Sequence, residues 1–175
     1  MLSMQDITVL DYYPHFACIG PACEDSCCAG TWRVNVDRDT YSRYRQSKDA
    51  VLAPLFELAL SRNEQSNGAR PLDFAQLAMK PGGDCHFLQA DRLCAIHARM
   101  GEAALSDTCR LYPRYLNQFG GQRENSLGIS CPEAARLILL HPEPLQFVSV
   151  AAQPGIDGKE FTSFRFPSQS HGDPA

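Results

Sequence analysis

Cysteine placement constrains this chain more than any other feature. Four of its eight cysteines, Cys18, Cys23, Cys27 and Cys28, fall within the run CIGPACEDSCC, and Cys85, Cys94, Cys109 and Cys131 follow at wide intervals. Thiols this dense at one end of a domain have to be reconciled as metal ligands, disulfides or nucleophiles, with buried free cysteine as the plain alternative. A chain of 175 residues is long enough to bury a core as one domain without covalent staples. Eight cysteines also fall short of the roughly 8–10% that marks a disulfide scaffold. The N-terminal run MLSMQDITVLDYYPHF lacks a basic region and carries Asp6 and Asp11 where a signal peptide is apolar. No apolar run approaches the roughly 20 residues of a membrane span. The expectation is a cytoplasmic protein with no membrane partner, where a cysteine cluster is more often metal-binding or catalytic than disulfide-bonded.

Charge narrows the partners. Twenty acidic and sixteen basic residues leave a net charge of −4, so the overall basic footprint of a nucleic-acid binder is missing. Arg110, Arg114, Arg123 and Arg136 share one third of the chain, and their plain reading is solvated surface and ion pairs. Oligomeric state is left open.

Along the chain, ITVLDYY (7–13) reads as an opening strand, and TWRVNVD alternates through Trp32, Val34 and Val36 as a strand with one buried face. Asp37 or Asp39 is placed to cap a helix over roughly 40–48. VLAPLFELALS sets Leu52, Leu55, Phe56 and Leu60 on one helical stripe, with Pro54 in the first turn. Residues 62–71 are polar and turn-rich, the best internal boundary. LDFAQLAM is ambiguous between strand and helix. CHFLQADRLCAI suggests a hairpin turning at 89–92 with Cys85 and Cys94 on opposite arms, and a helix is expected around 102–105, ending by Pro113. YLNQFGGQRENSLGI suggests a second hairpin turning at Gly120-Gly121. In SCPEAARLILLHP, Ser130 and Glu133 have capping-box spacing, Pro132 suits a first turn, and Leu137, Ile138 and Leu140 supply apolar surface. The expected class is α+β: a small cysteine-rich metal-binding domain with short strands, hairpins and several helices. It occupies 1–150, with 151–175 as a partly disordered C-terminal extension.

Thiol spacing then limits the chemistry. Cys23 and Cys27 would share a face in a helical turn, with Cys28 directed elsewhere. Cys131 stands at a helix N-terminus, where the dipole favours negative charge. Thiolate-rich sites select zinc or iron–sulfur clusters. No pair of CxxC knuckles is present, as a zinc ribbon requires, and irregular cysteines from distant segments suit a cluster held by four thiolates. A CxxxCxxC triad fails because Gly30 stands where the third cysteine belongs. His86 and His97 flank the second cysteine pair and are more simply surface or core residues. Tyr112 and Tyr115, in RLYPRY, either line a pocket or pack around Pro113. There is no P-loop, GxGxxG, HExxH or GxSxG.

Taken in order, FACIGPACEDSCCAGTWRVNVDRDTYSRY, CHFLQADRLCAIHARMGEAALSDTCRLYPR and ENSLGISCPEAARLIL resemble the flagellin lysine-N-methylase family over roughly residues 10–140. A looser likeness holds to zinc- or iron-chelating cysteine domains with a CxxxCC-like element. The resemblance implies methyl transfer from S-adenosylmethionine to lysine ε-amino groups of flagellin, with a cysteine-bound iron–sulfur cluster of the 4Fe–4S kind, or zinc as the alternative metal. It implies metal ligands drawn from Cys18, Cys23, Cys27, Cys28, Cys85, Cys94, Cys109 and Cys131. It assigns neither a catalytic residue nor a methyl-donor site. Asp107, Glu124 and Glu133 are the carboxylates near the motifs that could take a proton or position an amine. The alternative function is a non-catalytic zinc or iron–sulfur module, a shortened family member with a structural or redox role.

Overall fold

Strand β1 (Ile7–Leu10) alternates as its sequence demands, with Ile7 and Val9 buried. Its neighbours come from the other end of the chain. In the computed structural model, which describes residues 6–30, 33–64, 73–119 and 122–152, the chain divides into two compact units: Met1–Cys18 with Pro113–Ala175, and the stretch Ile19–Tyr112 between them. These dividing points lie away from the polar stretch 62–71. Trp32, Leu72, the Gly120-Gly121 turn and residues 153–175 fall outside the described residues.

In the first unit, the expected second hairpin forms from β5 (Arg114–Phe119) and β6 (Gln122–Leu127), antiparallel with Arg114 opposite Leu127. Helix α5 (Pro132–Leu139) follows, and then β7 (Phe147–Val150), a strand the sequence reading did not anticipate. The sheet order is β5-β6-β1-β7. β1 runs parallel to β6, with Thr8 opposite Glu124, and antiparallel to β7, with Ile7 opposite Val150. The core gathers Ile7, Val9, Tyr12, Tyr13, Phe16, Leu127 and Ala134, with Leu137 and Ile138 of α5 against it. Leu140 instead stands 74% exposed beyond the helix. The α5 N-cap is Cys131 rather than Ser130, without a side-chain cap bond. Glu133 pairs with Arg136 at 2.6 Å, which takes it away from a capping-box role.

The second unit is built from short pieces. β2 (Val34–Val36) leads into α1 (Arg38–Arg45), whose Asp37 cap accepts from the Thr40 N–H at 2.9 Å. Such a cap contributes about 1 kcal/mol. α2 (Leu52–Ala59) buries Leu52 and Phe56 of the expected stripe together with Ala59 and keeps Pro54 in its first turn, whereas Leu60, also expected on the helix, begins a strand. Asp49 accepts from the Val51 and Leu52 N–H groups ahead of it, each at 2.9 Å. β3 (Leu60–Arg62) and β4 (Ala75–Leu77) complete a sheet of order β2-β4-β3, so LDFAQLAM resolves as a strand over its described part. Ala95 and Ile96, read from sequence as the end of a hairpin arm, instead open α3 (Ala95–Met100), where both are buried; Gly101, at φ 81°, ends it. After a 3-10 turn at Glu102–Ala104, α4 (Asp107–Leu111) stops before Pro113. Five α-helices and two sheets among the described residues make an α+β protein.

Candidate functional site

Residues 19–30 contain no α-helix, only a 3-10 turn at Gly20–Ala22 followed by bends and turns. The expected helical face shared by Cys23 and Cys27 is therefore absent. Two glycines instead let this loop meet the turn before Cys85. Gly30 and Gly83 have φ of 96° and 99°, and a Cβ on Gly83 would stand 3.2 Å from the Gly30 carbonyl carbon. Beside that approach the Cys85 N–H donates to the Cys28 carbonyl at 2.7 Å. A side chain at Gly83 meets both backbone strain and a backbone wall. Gly83→Ala is accordingly expected to lower stability by about 1–3 kcal/mol, read as a lower urea midpoint. An unchanged midpoint would mean that the close approach is dispensable.

This junction gathers thiols. The Cys28 thiol lies between Cys27 and Cys94 and donates toward both. Donation from Cys28, opposed by burial, brings the Cys27 thiol down to about 7. The same donation, again opposed by burial, brings Cys94 to about 6, helped by the Ile96 and His97 amides and the His97 charge. Cys28 itself is held far above the ordinary thiol range by both neighbours, and then by burial. The outcome is a coupled group in which Cys94 and Cys27 are drawn toward thiolate near neutral pH while Cys28 keeps its proton.

Two further thiols of this unit are raised by burial. Burial raises Cys85, which is 6% exposed. Burial also pushes Cys109 up to about 12, opposed by the Ser106 hydroxyl. The expected hairpin turn forms, with Gln89 donating to Leu93 O at 3.0 Å and Leu88 bridged to Cys94. Cys85, however, bridges Met79, so Cys85 and Cys94 are not level across paired arms. Cys23 is half-buried in the same unit, and exposed Cys18 and half-buried Cys131 belong to the other. All eight cysteines are free thiols.

The remaining candidates are mostly engaged elsewhere. Asp107, 5% exposed, pairs with Arg110 at 2.8 Å. Glu133 is held by Arg136, and Glu124 sits on β6 opposite Asn117. Asp107 lies in one unit, and Glu124 and Glu133 in the other. Arg114 stacks on the Phe16 ring at 5.1 Å. Tyr115 covers Gly128, where a Cβ would lie 2.7 Å from its ring, which is packing. His86 is half-buried and His97 exposed. Sequence reasoning missed Ser106, a polar side chain 1% exposed whose Oγ makes no full hydrogen bond and bears on the Cys109 sulfur. Its signal was the Ser-x-x-Cys spacing across the start of α4.

Among the described residues, no three His, Cys, Asp or Glu side chains form a ready-made coordination shell. The chemistry of the donor set nevertheless fits a thiophilic metal: Cys27 and Cys94 drawn toward thiolate, Cys28 between them, and buried Cys85 and half-buried Cys109 in the same unit. The Cys27 thiolate is testable without metal. In the reduced, metal-free chain its alkylation, followed by peptide mass spectrometry, should rise with pH to half-maximum near 7. Cys28→Ala should move that midpoint up by at least about one pH unit toward the ordinary thiol value near 8.5. An unmoved midpoint would mean that Cys28 does not set it.

The fold and these thiols define a cysteine-rich α+β protein in which one unit concentrates the reactive sulfur. No protein-family model matches the chain, and no solved structure matches it. Over 147 residues it is 35% identical to the flagellar biosynthetic protein FliU of Salmonella muenchen, covering 81% of this chain and 83% of that one. It is 34% identical to a lysine-N-methylase of Salmonella choleraesuis and 33% identical to one of Salmonella typhimurium, each over 81% of this chain and 35% of the relative. The chain belongs to the family of the flagellar biosynthetic protein FliU. It spans about a third of the length of the lysine-N-methylases it matches. No helix among the described residues is long and apolar enough to cross a membrane.

Proposed function

We propose that this chain serves protein-lysine N-methylation of flagellin with S-adenosylmethionine as methyl donor, and that its cysteines bind an iron–sulfur cluster, or failing that zinc. The observation that carries the metal part is the Cys27–Cys28–Cys94 contact, which keeps thiolates available at neutral pH. Cys27, Cys28 and Cys94 would hold the metal, with Cys85 or Cys109 completing four thiolates. A bound cluster of this kind supplies cross-linking of the loops that carry its ligands and one-electron redox capacity. The methylation part is supported by the names of the longer relatives and by the flagellar name of FliU. Methyl transfer requires a neutral, desolvated lysine amine that attacks the sulfonium methyl group in line, breaking the methyl–sulfur bond and releasing the neutral thioether; the proton of the resulting ammonium then passes to a base.

The second reading, a non-catalytic metal module, is favoured by one fact: the chain matches only 35% of each lysine-N-methylase. Anaerobic purification with iron, sulfide and zinc analysis tests the metal. About four iron and four sulfide per chain supports the cluster; stoichiometric zinc in colourless protein replaces it. Methyl-labelled S-adenosylmethionine with flagellin then separates the two functions. Labelled lysine supports methylation, and none from the fully loaded chain leaves the module.

A further inference from the structure

Ser106 is the N-cap of α4 and Cys109 its third helical residue. At this spacing a capping side chain ordinarily bonds the amide three residues on, while the residue there reaches back. Here Ser106 makes no side-chain cap bond. Its carbonyl instead accepts from the Cys109 and Arg110 N–H groups at 3.0 and 2.9 Å, which fixes the side chain at the head of the turn. The hydroxyl is 1% exposed and makes no full hydrogen bond, and the group it bears on is the Cys109 sulfur. Its burial is therefore matched only by a weak contact in the metal-free protein, one that a stronger acceptor at the same sulfur would complete. Tyr44, the other hydroxyl beside Cys109, has already committed its proton to the Ala104 carbonyl at 2.8 Å. A neutral thiol is a weak acceptor, whereas a metal-bound thiolate is a good one.

We propose that Ser106 is a positioning residue for the metal centre: its hydroxyl donates to the Cys109 sulfur once that sulfur is a thiolate ligand. The inference rests on the metal reading above and adds Cys109 to the ligands and Ser106 as its outer partner. Outer partners of metal ligands typically change affinity ten- to a hundredfold when removed. A hydrogen bond to the sulfur also shifts the thiolate-to-metal charge-transfer band.

The test compares anaerobically purified wild type with Ser106→Ala and Ser106→Thr, following metal loss to a chelator and the visible spectrum, with melting of each metal-free chain alongside. Ser106→Ala should lose metal about tenfold faster, with a displaced band, and Ser106→Thr should restore both by returning a hydroxyl. Metal-loaded wild type with an unaltered Ser106→Ala spectrum and loss rate overturns the role of Ser106 and spares the metal centre. A lower melting temperature for metal-free Ser106→Ala with no spectral change assigns the residue to folding and equally overturns it. Wild type that binds no metal overturns both readings at once.

Discussion

Cys94→Ser should strip the metal from anaerobically purified protein while leaving the fold intact. Of the thiols brought together in the unit Ile19–Tyr112, Cys94 is held lowest, at about 6, first by the Cys28 S–H and then, against burial, by the amides opening α3. It is thus a thiolate over the whole neutral range, and thiolates bind metals. Serine keeps the size but ionises far too weakly to replace it. Loss of an outer-shell contact already costs at least about tenfold in affinity, so loss of a ligand should exceed that. Cys94 is half-buried and serine is nearly isosteric, so the metal-free melting curve should stay close to wild type. The pH profile of metal binding follows from the same thiols. Both values are depressed, so the thiolates are present above pH 7 and disappear as pH falls through about 7 for Cys27 and about 6 for Cys94. Apparent metal affinity should accordingly begin to fall with pH across that window, with release following at lower pH. Full metal retention by Cys94→Ser would remove Cys94 from the ligand set.

What could be read from the sequence was whatever is local. The Asp37 cap, the buried stripe of α2 and the β5–β6 hairpin all follow from signals a few residues apart. The parallel pairing of β1 with β6 joins Thr8 to Glu124, and no periodicity reports a partner at that distance. β7 escaped notice because its residues are mostly exposed and carry no strong alternation. The thiol cluster was legible as a set of residues but not as an arrangement. Treating Cys23 and Cys27 as one helical face assumed a helix, whereas Gly30 and Gly83 close the loop by direct backbone approach. That approach brings Cys28 beside Cys85 through a main-chain bond, and spacing rules for side chains do not contain it. The burial of the Ser106 hydroxyl against the Cys109 sulfur is likewise a property of packing, visible only once its surroundings are filled.

Phe56→Ala should unfold the thiol-bearing unit rather than disarm it. Phe56 is 1% exposed and lies against the Tyr44 ring with centroids 4.3 Å apart and planes 14° apart, and against Phe87 at 4.9 Å. Removing a buried phenyl ring costs about 3–5 kcal/mol, a large share of the roughly 5–15 kcal/mol that holds a domain folded. The loss reaches the thiols by two routes. Tyr44 fixes the approach to α4 through its bond to the Ala104 carbonyl, and so the position of Cys109. Phe87 accepts from the Ala95 N–H at 2.8 Å, which sets the start of α3 and therefore Cys94. Phe56→Leu keeps most of the apolar volume and should cost less than half as much. The measurement is urea unfolding of the metal-free chain, with metal content recorded separately. Phe56→Ala should lose both, whereas Cys94→Ser should lose metal alone; a Phe56→Ala midpoint equivalent to less than about 1 kcal/mol from wild type would show that the aromatic stack does not anchor this unit.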